Sequence, residues 1–395
     1  MSSGAVLRAA VLAALVLLAL GAGAVLLMQT PTAAGGWLRC GVERTVYERD
    51  EVGALPDDFV VVQATVQTDP VDDPCDAADD PAIWLDPQQP GRGFVVGSNK
   101  VRGLDVYALD GARVDHVAIG RVNNVDLRDG IELAGALRVI VAASDKAGHF
   151  DVLSLDPETG ALTDHGEIPT RPEEETYGFC LYRPDAGSLE AFVTDKSGAI
   201  EHWTIGDDGA GSVAGTFLRT LRVSSQPEGC VVDDDTGQLY VGEEEVGIWR
   251  FDAAVDGAQE GTLIARTGLE LGPEPAPDAH LFADVEGLAI YAPTDSDEAG
   301  YLVASSQGNS SYVLFDRAPP HAYRGTFVVE IEGRRTGDTD GLDVTALEGA
   351  AGFDAGMLVV QDGINAASDG SYAHQNFKFV PWASIASALS LDEAP

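Results

Sequence analysis

Three of the four lysines in this chain stand at one repeated place. Lys100, Lys146 and Lys196 each close a short apolar run, in the triplets SNK, SDK and TDK. Later runs of the same kind end in acids or amides instead: Glu243-Glu244-Glu245, Gln307-Gly308-Asn309 and Gln361-Asp362. Upstream of each run lies a second polar group: Asp79-Asp80, Asn123-Asn124, Tyr177, Glu228, Asp284 with Glu286, and Asp338 with Asp340. Ammonium groups hold phosphate as point charges. Carboxylates hold hard divalent cations through oxygen. The chemistry that joins the two is that of a polyanion accompanied by cations. Carboxylates clustered without a cation repel one another and raise their pKa values. Several bound cations relieve this, acidify a water and stabilise an in-line displacement at phosphorus. No protein nucleophile is evident, and neither a GxSxG elbow nor a P-loop occurs. The seven histidines show no HExxH or comparable metal pattern and read as scattered surface or core residues.

These groups need a scaffold that repeats. Short β-branched and aromatic runs recur between Gly, Asp-Gly and Pro punctuation, the mark of strands joined by turns. Six units carry three such runs each. The first runs are 81–85, 125–127, 178–182, 229–232, 287–291 and 341–344. The second runs precede the lysine or acid positions, and the third include Leu104–Gly111 and Phe377–Trp382. Units of about 45–65 residues predict radial repetition in a propeller. Outer strands are expected at 114–119, 216–223, 261–265 and 325–331. The fold class expected is all-β, a six-bladed β-propeller over residues 59–391. The run 59–66 is expected to supply the outer strand of the last blade and close the ring. In each blade the first and second strands are antiparallel. The start of one and the end of the other then meet at one rim, which places lysines and carboxylates around a single mouth.

Residues 1–35 read as an export segment. Ala9–Met28 is apolar behind Arg8, and two readings fit: a cleaved signal or an uncleaved membrane anchor. Residues 36–58 read as a linker. Both readings send the propeller outside the cytoplasm, secreted, periplasmic or on the outer face of the membrane. The net charge is −40, from 64 acidic against 24 basic residues. That charge argues against nucleic acid as a partner, because phosphate backbones demand positive surface. It leaves a small polyanion bound with calcium as the expected partner, the chain acting as a monomer. Cys40, Cys75, Cys180 and Cys230 have no zinc spacing. An exported chain permits disulfides, but no pairing is assigned, and Cys180 and Cys230 also read as small buried residues.

Several blocks, in order, carry a resemblance: DDPAIWLDP (79–87), NNVD (123–126), YGF (177–179), EGC (228–230), EEE with IWRF (243–251), DVEGL (284–288), ASSQGNSSY (304–312), DTDG (338–341), QDG with Asn365, and QNFK with VPW (375–382). Together they resemble the β-propeller phytases from about Val61 to the C-terminus. The resemblance implies a six-bladed propeller that needs several Ca²⁺ ions. It implies hydrolysis of phosphomonoesters of phytate, myo-inositol hexakisphosphate. By matching motif, Asp79, Asp80, Glu228, Glu243, Glu244, Asp284, Glu286 and Asp340 are expected to ligate calcium at the mouth. Asp362 and Asn365 are expected to hold a tighter, structural calcium. Lys100, Lys146, Tyr177 and Lys196 are expected to contact phosphate. The catalytic set expected is Asp80, Glu228, Glu244, Lys100 and Tyr177, with a water between calcium ions attacking the phosphate.

The chain departs from the family's pattern at a few places. Val101 stands where the family often has a second lysine, with Arg102 the expected substitute. Lys146 stands where arginine is common, and Ile364 replaces an acid. Two rival readings stand beside this one: a calcium-dependent propeller lactonase, which would need fewer lysines at the mouth, and a calcium-stabilised propeller at the cell surface that binds without turnover, which the departures at Val101 and Ile364 leave open.

Overall fold

The computed structural model of the chain describes residues 59–391, apart from 186, 210–211, 269–278, 294–298, 351 and 367–372. Ala9–Met28, the linker and Cys40 lie outside the described residues. Residues 59–73 and those from Ala77 onward belong to one compact unit, and Pro74–Asp76 to another. Cys75, in the latter, is disulfide-bonded.

The larger unit is built of six small sheets. Blade one runs β3(Ala78–Leu85), β4(Gly93–Asn99), β5(Gly103–Ala108) and β6(Arg113–Val117), from inside to outside. Blade two is β7(Val122–Leu133), β8(Ala136–Asp145), β9(His149–Leu155) and β10(Leu162–Pro169). Blade three is β11(Thr176–Tyr182), β12(Leu189–Asp195), β13(Ala199–Asp207) and β14(Val213–Arg222). Blade four is β15(Pro227–Asp233), β16(Gln238–Glu243), β17(Gly247–Asp252) and β18(Thr262–Gly268), with β19(Leu281–Phe282) parallel at its edge. Blade five is β20(Val285–Tyr291), β21(Tyr301–Ser306), β22(Ser311–Asp316) and β23(Tyr323–Ile331), extended by β24(Arg334–Arg335). Blade six has β25(Leu342–Thr345), β26(Met357–Asp362) and β27(Asn376–Pro381), followed by the short helix α1(Trp382–Ala388). The inner strands pack in sequence, β3 on β7, β11, β15, β20 and β25, and β25 returns to β3. The unit is a six-bladed β-propeller.

Ring closure differs from expectation in one respect. The N-terminal run splits between two blades. β1(Val60–Gln63) lies parallel to β23 on the outside of blade five. β2(Val66–Gln67) pairs antiparallel with β27 and is the fourth strand of blade six. The ring is thus closed by the N-terminal segment through two short strands. The outer strand β10 of blade two falls outside the expected set. Its sequence LTDHGEIP is largely polar and its side chains are mostly solvent-facing, so it lacks an apolar signal.

The hydrophobic core is six wedges, one between each pair of neighbouring blades. In β8, Val139, Val141 and Ala143 pack toward blade one, whereas Ile140 and Ala142 pack toward blade three. Alternate side chains face opposite sides of a strand. A blade covered on both faces therefore reads as a continuous apolar run. A disulfide joins Cys180 to Cys230, linking the inner strands of blades three and four across 50 residues.

Candidate active site

Two repeated backbone positions build the mouth. The first is a bulge near the start of the inner strand. In blades one to five the register slips between Ala78 and Pro81, Val122 and Val125, Thr176 and Phe179, Pro227 and Cys230, and Val285 and Leu288. Each slip sets two residues against one on the next strand, and such a bulge re-aims side chains. The leading residues of these pairs are Asp79, Asn123, Tyr177, Glu228 and Glu286. Asp340 holds the corresponding place in blade six, where the Gln361 amide donates to the Gly341 carbonyl. The trailing residues are Asp80, Asn124, Gly178, Gly229, Gly287 and, in blade six, Gly341. Glycine is required where the next inner strand comes close. A Cβ on Gly178 would lie 1.8 Å from the Glu228 carbonyl oxygen, and one on Gly229 would lie 2.0 Å from that of Glu286.

The second position is the residue just past the second strand. One backbone hydrogen bond fixes it in every blade. The amides of Lys100, Lys146, Lys196, Glu244, Gln307 and Gly363 donate to the carbonyls of Ala77, Arg121, Glu175, Gln226, Asp284 and Gly337, at 2.7–3.1 Å. Three ammonium groups and Glu244 are therefore placed on the same edge as the bulge residues.

The acidic side is tightly gathered. Carboxylate oxygens of Glu228, Glu244 and Glu286 lie within 4.8 Å of one another, and all three residues are buried. Asn123 Nδ2 donates to Glu228 Oε1 at 2.7 Å, and the Gln226 amide donates to Glu244. Burial, with Glu228 and Asp284 adding to it, pushes the Glu244 carboxyl up to about 7. Burial and then Glu228 raise Glu286 well above the usual carboxylate range. Asp284 is raised by burial and by Glu245 and Glu228.

The basic side centres on Tyr177. Lys196 Nζ lies 4.4 Å and Lys146 Nζ 5.5 Å from the ring centroid. Lys196 also pairs with Glu175 at 3.3 Å. Burial, Glu228 and Glu286 hold the Tyr177 phenol far above its ordinary pKa, with Lys100 pulling the other way. Lys100 Nζ bridges Asp79 Oδ1 and Asp340 Oδ2, each at 3.0 Å. Gln307 Nε2 holds the other Asp340 oxygen at 2.6 Å.

The donor set of Glu228, Glu244 and Glu286 fits calcium. It is all oxygen, it is converged, and its like charges stand face to face, with the Glu244 and Glu286 carboxyls raised by burial and by Glu228, the condition a hard cation relieves.

Other expected residues are placed elsewhere. Asp80 is the trailing member of its bulge. Its Oδ2 accepts the Val125 amide at 3.1 Å, and it lines a cavity of about 320 Å³ between the inner strands together with Asn124 and Asp343. Asp79, not Asp80, matches Glu228 in position. Glu243 ends β16, one residue short of the mouth position. It accepts from Ser224 Oγ, the Ser225 amide and hydroxyl, and Trp249 Nε1. Those donors lower its pKa against burial, so it braces the turn. Where a calcium is expected between Asp362 and Asn365, the structure places an ammonium beside both residues. Buried Lys378 Nζ lies 3.2 Å from Asp362 Oδ2 and 2.9 Å from Asn365 Oδ1, and also donates to Asn376 and Gln67. Arg102 is engaged by Asp73 and Asp72. Sequence reasoning missed Arg121 and Gln226. Both share the offset of Asp284, two residues before the leading bulge residue, and Arg121 is exposed there.

A family model described as phytase matches residues 27–395. The chain belongs to the β-propeller phytases. The 3-phytase of Bacillus subtilis (strain 168) is 39% identical to this phytase over 340 residues, 83% of this chain and 85% of that protein. Among solved structures, a functionally unknown protein from Desulfotomaculum acetoxidans DSM 771 superposes with a TM-score of 0.41 at 15% identity. It covers 63% of this chain and 71% of its own.

Proposed function

We propose that this phytase hydrolyses phosphomonoesters of myo-inositol hexakisphosphate with calcium held on the acidic side of its mouth. The observation that carries the reading is the set of three buried carboxylates gathered within 4.8 Å on the edge that also bears Lys146, Tyr177 and Lys196. Glu228, Glu244 and Glu286 would hold the cation, with Asp284 beside them. Bound calcium supplies positive charge to phosphate oxygens and an acidified water for attack at phosphorus. Lys146 and Lys196, both close to the Tyr177 ring, take phosphate oxygens as point charges. The Tyr177 phenol stays neutral, so it donates a hydrogen bond and does not attack. Lys100 neutralises Asp79 and Asp340 and keeps both aimed at the mouth. Phosphoryl transfer asks the protein for position and charge more than for covalent chemistry, and these residues provide both. Family membership sets this reaction apart from the lactonase and binding-only readings.

Export is part of the same proposal. The Cys180–Cys230 disulfide belongs to an oxidising compartment. Phosphate release from phytate, measured with calcium and then with excess chelator, tests the mechanism. Release is expected to stop in chelator and return when calcium is restored; turnover that chelator leaves unchanged would sink it.

A further inference from the structure

Blade two carries a second cluster of ligating groups, separate from the carboxylates of the mouth. It is built across three adjacent strands. Asp145 ends β8 opposite His149, which begins β9. Asp151 on β9 stands opposite Glu167 on β10, just past a register slip between Asp164 and Glu167. His149 Nε2 lies 3.9 Å from Asp145 Oδ2, 3.7 Å from Asp151 Oδ2 and 3.4 Å from Glu167 Oε2. Ligand atoms of Asp145, His149 and Asp151 all fall within 4.8 Å of one another.

A second observation points to a ligand. Asp151 is 6% exposed. Its Oδ2 is buried and accepts no hydrogen bond from the protein, although it faces this cluster. A buried carboxylate oxygen left in that state is costly. The backbone also leaves room for its neighbour. Gly120, at φ +118°, lies against Asp145 Oδ2, where a Cβ would come within 2.6 Å. Burial and the negative charge of Asp145, Asp164 and Glu167 raise the Asp151 carboxyl to about 7.

We propose that Asp145, His149, Asp151 and Glu167 form a site for a borderline divalent cation of the zinc type. An imidazole beside carboxylates is a donor set for zinc-like ions, whereas calcium takes oxygen alone. Tetrahedral zinc with bonds of about 2.0–2.1 Å separates its ligand atoms by about 3.3 Å. The spacings around His149 Nε2 need to close by about 0.1–0.6 Å. Because Asp145 directly precedes Lys146, a cation here would also stiffen the turn that carries that ammonium group.

The test is zinc binding by the chelator-treated full chain, titrated calorimetrically in saturating calcium so that the oxygen-only sites are filled. One zinc per chain is expected at the cluster. His149→Gln and Asp151→Asn are each expected to weaken it by about tenfold or more, with circular dichroism unchanged. Cobalt substituted for zinc is expected to give a visible absorption band that His149→Gln abolishes. Should Asp151→Asn disturb folding, Glu167→Gln on the exposed outer strand is expected to weaken zinc binding in a folded chain. No zinc isotherm in the wild-type chain, or one that these variants leave unchanged, overturns the site and leaves His149 as a polar neighbour of its acids.

Discussion

Two acidic regions meet the inner strands of this propeller, and the chain treats them differently. In the cavity beneath the bulges, Asp126 and Asp234 are paired with the protein's own guanidinium, and Asp126 and Asp343 accept backbone amides. Arg128 binds Asp126 and Asp234 at 2.8 Å each and donates to the Leu127 and Leu181 carbonyls. Asp126 Oδ2 accepts the Leu181 amide, and Asp343 Oδ2 accepts that of Ile83. At the mouth, Glu228, Glu244 and Glu286 face one another, and their neighbours are amides, further acids and Lys196 across the rim. The lower set ties adjacent blades together through acids that reach the next inner strand. The upper set is gathered but left with a charge that something from outside must balance. Acidity alone does not mark a cation site; acidity that the chain's own donors leave unbalanced does.

The comparison breaks most readily at Arg128. Arg128→Met leaves half-buried carboxylates without their guanidinium. It is expected to lower stability by about 2–3 kcal/mol, short of the cost of breaking a fully buried pair, read by denaturant melts, while activity per folded molecule stays near wild type. A stable Arg128→Met would show that the lower acids are not held as described. Glu228→Gln should do the reverse. Phytate turnover is expected to fall about 10²–10³-fold with the fold intact by circular dichroism, and an active variant would remove Glu228 from the mechanism. Calcium separates the regions directly. At about a hundred times its Kd it should stabilise the wild type by about 2.7 kcal/mol. That gain should survive in Arg128→Met and shrink in Glu228→Gln. A smaller effect is expected for Tyr177→Phe, about tenfold in turnover for one lost hydrogen bond. An equal loss in circular dichroism would assign Tyr177 to packing instead.

The pH response sharpens the contrast at Asp343. Burial, with Asp126 adding to it, raises its carboxyl to about 7 in the folded chain, against about 3.9 unfolded. A raised acid binds more protons folded than unfolded across that window. Its contribution to stability is therefore lost as pH rises from about 4 to about 7. Asp343→Asn is expected to flatten that fall in Tm, and an unchanged slope would place the pH sensitivity elsewhere.

Much of this architecture is legible in the order of residues. The apolar runs locate the inner, second and third strands of every blade, because both faces of a blade are buried. The shared offset of Lys100, Lys146 and Lys196 corresponds to one backbone hydrogen bond repeated round the ring. Parity is what misleads. Asp79-Asp80 and Glu243-Glu244 are adjacent acids of the same type, and only register says which of each pair reaches the mouth. Lys378 lies thirteen residues from Asn365, and nothing local marks it. The pairing of β26 with β27 sets its ammonium among those oxygens. His149 reads as scattered for the same reason: its acids are neighbours only across strands.

The sequence by itself determined the repeat, the strands and the chemical character of each rim position, because those are local: side-chain type, apolar period and turn residues. Tertiary structure alone decided which carboxylates converge and which are already satisfied. A bulge shifts a strand by one residue and reverses which side a chain faces. The donors that settle a buried acid come from blades far away in sequence.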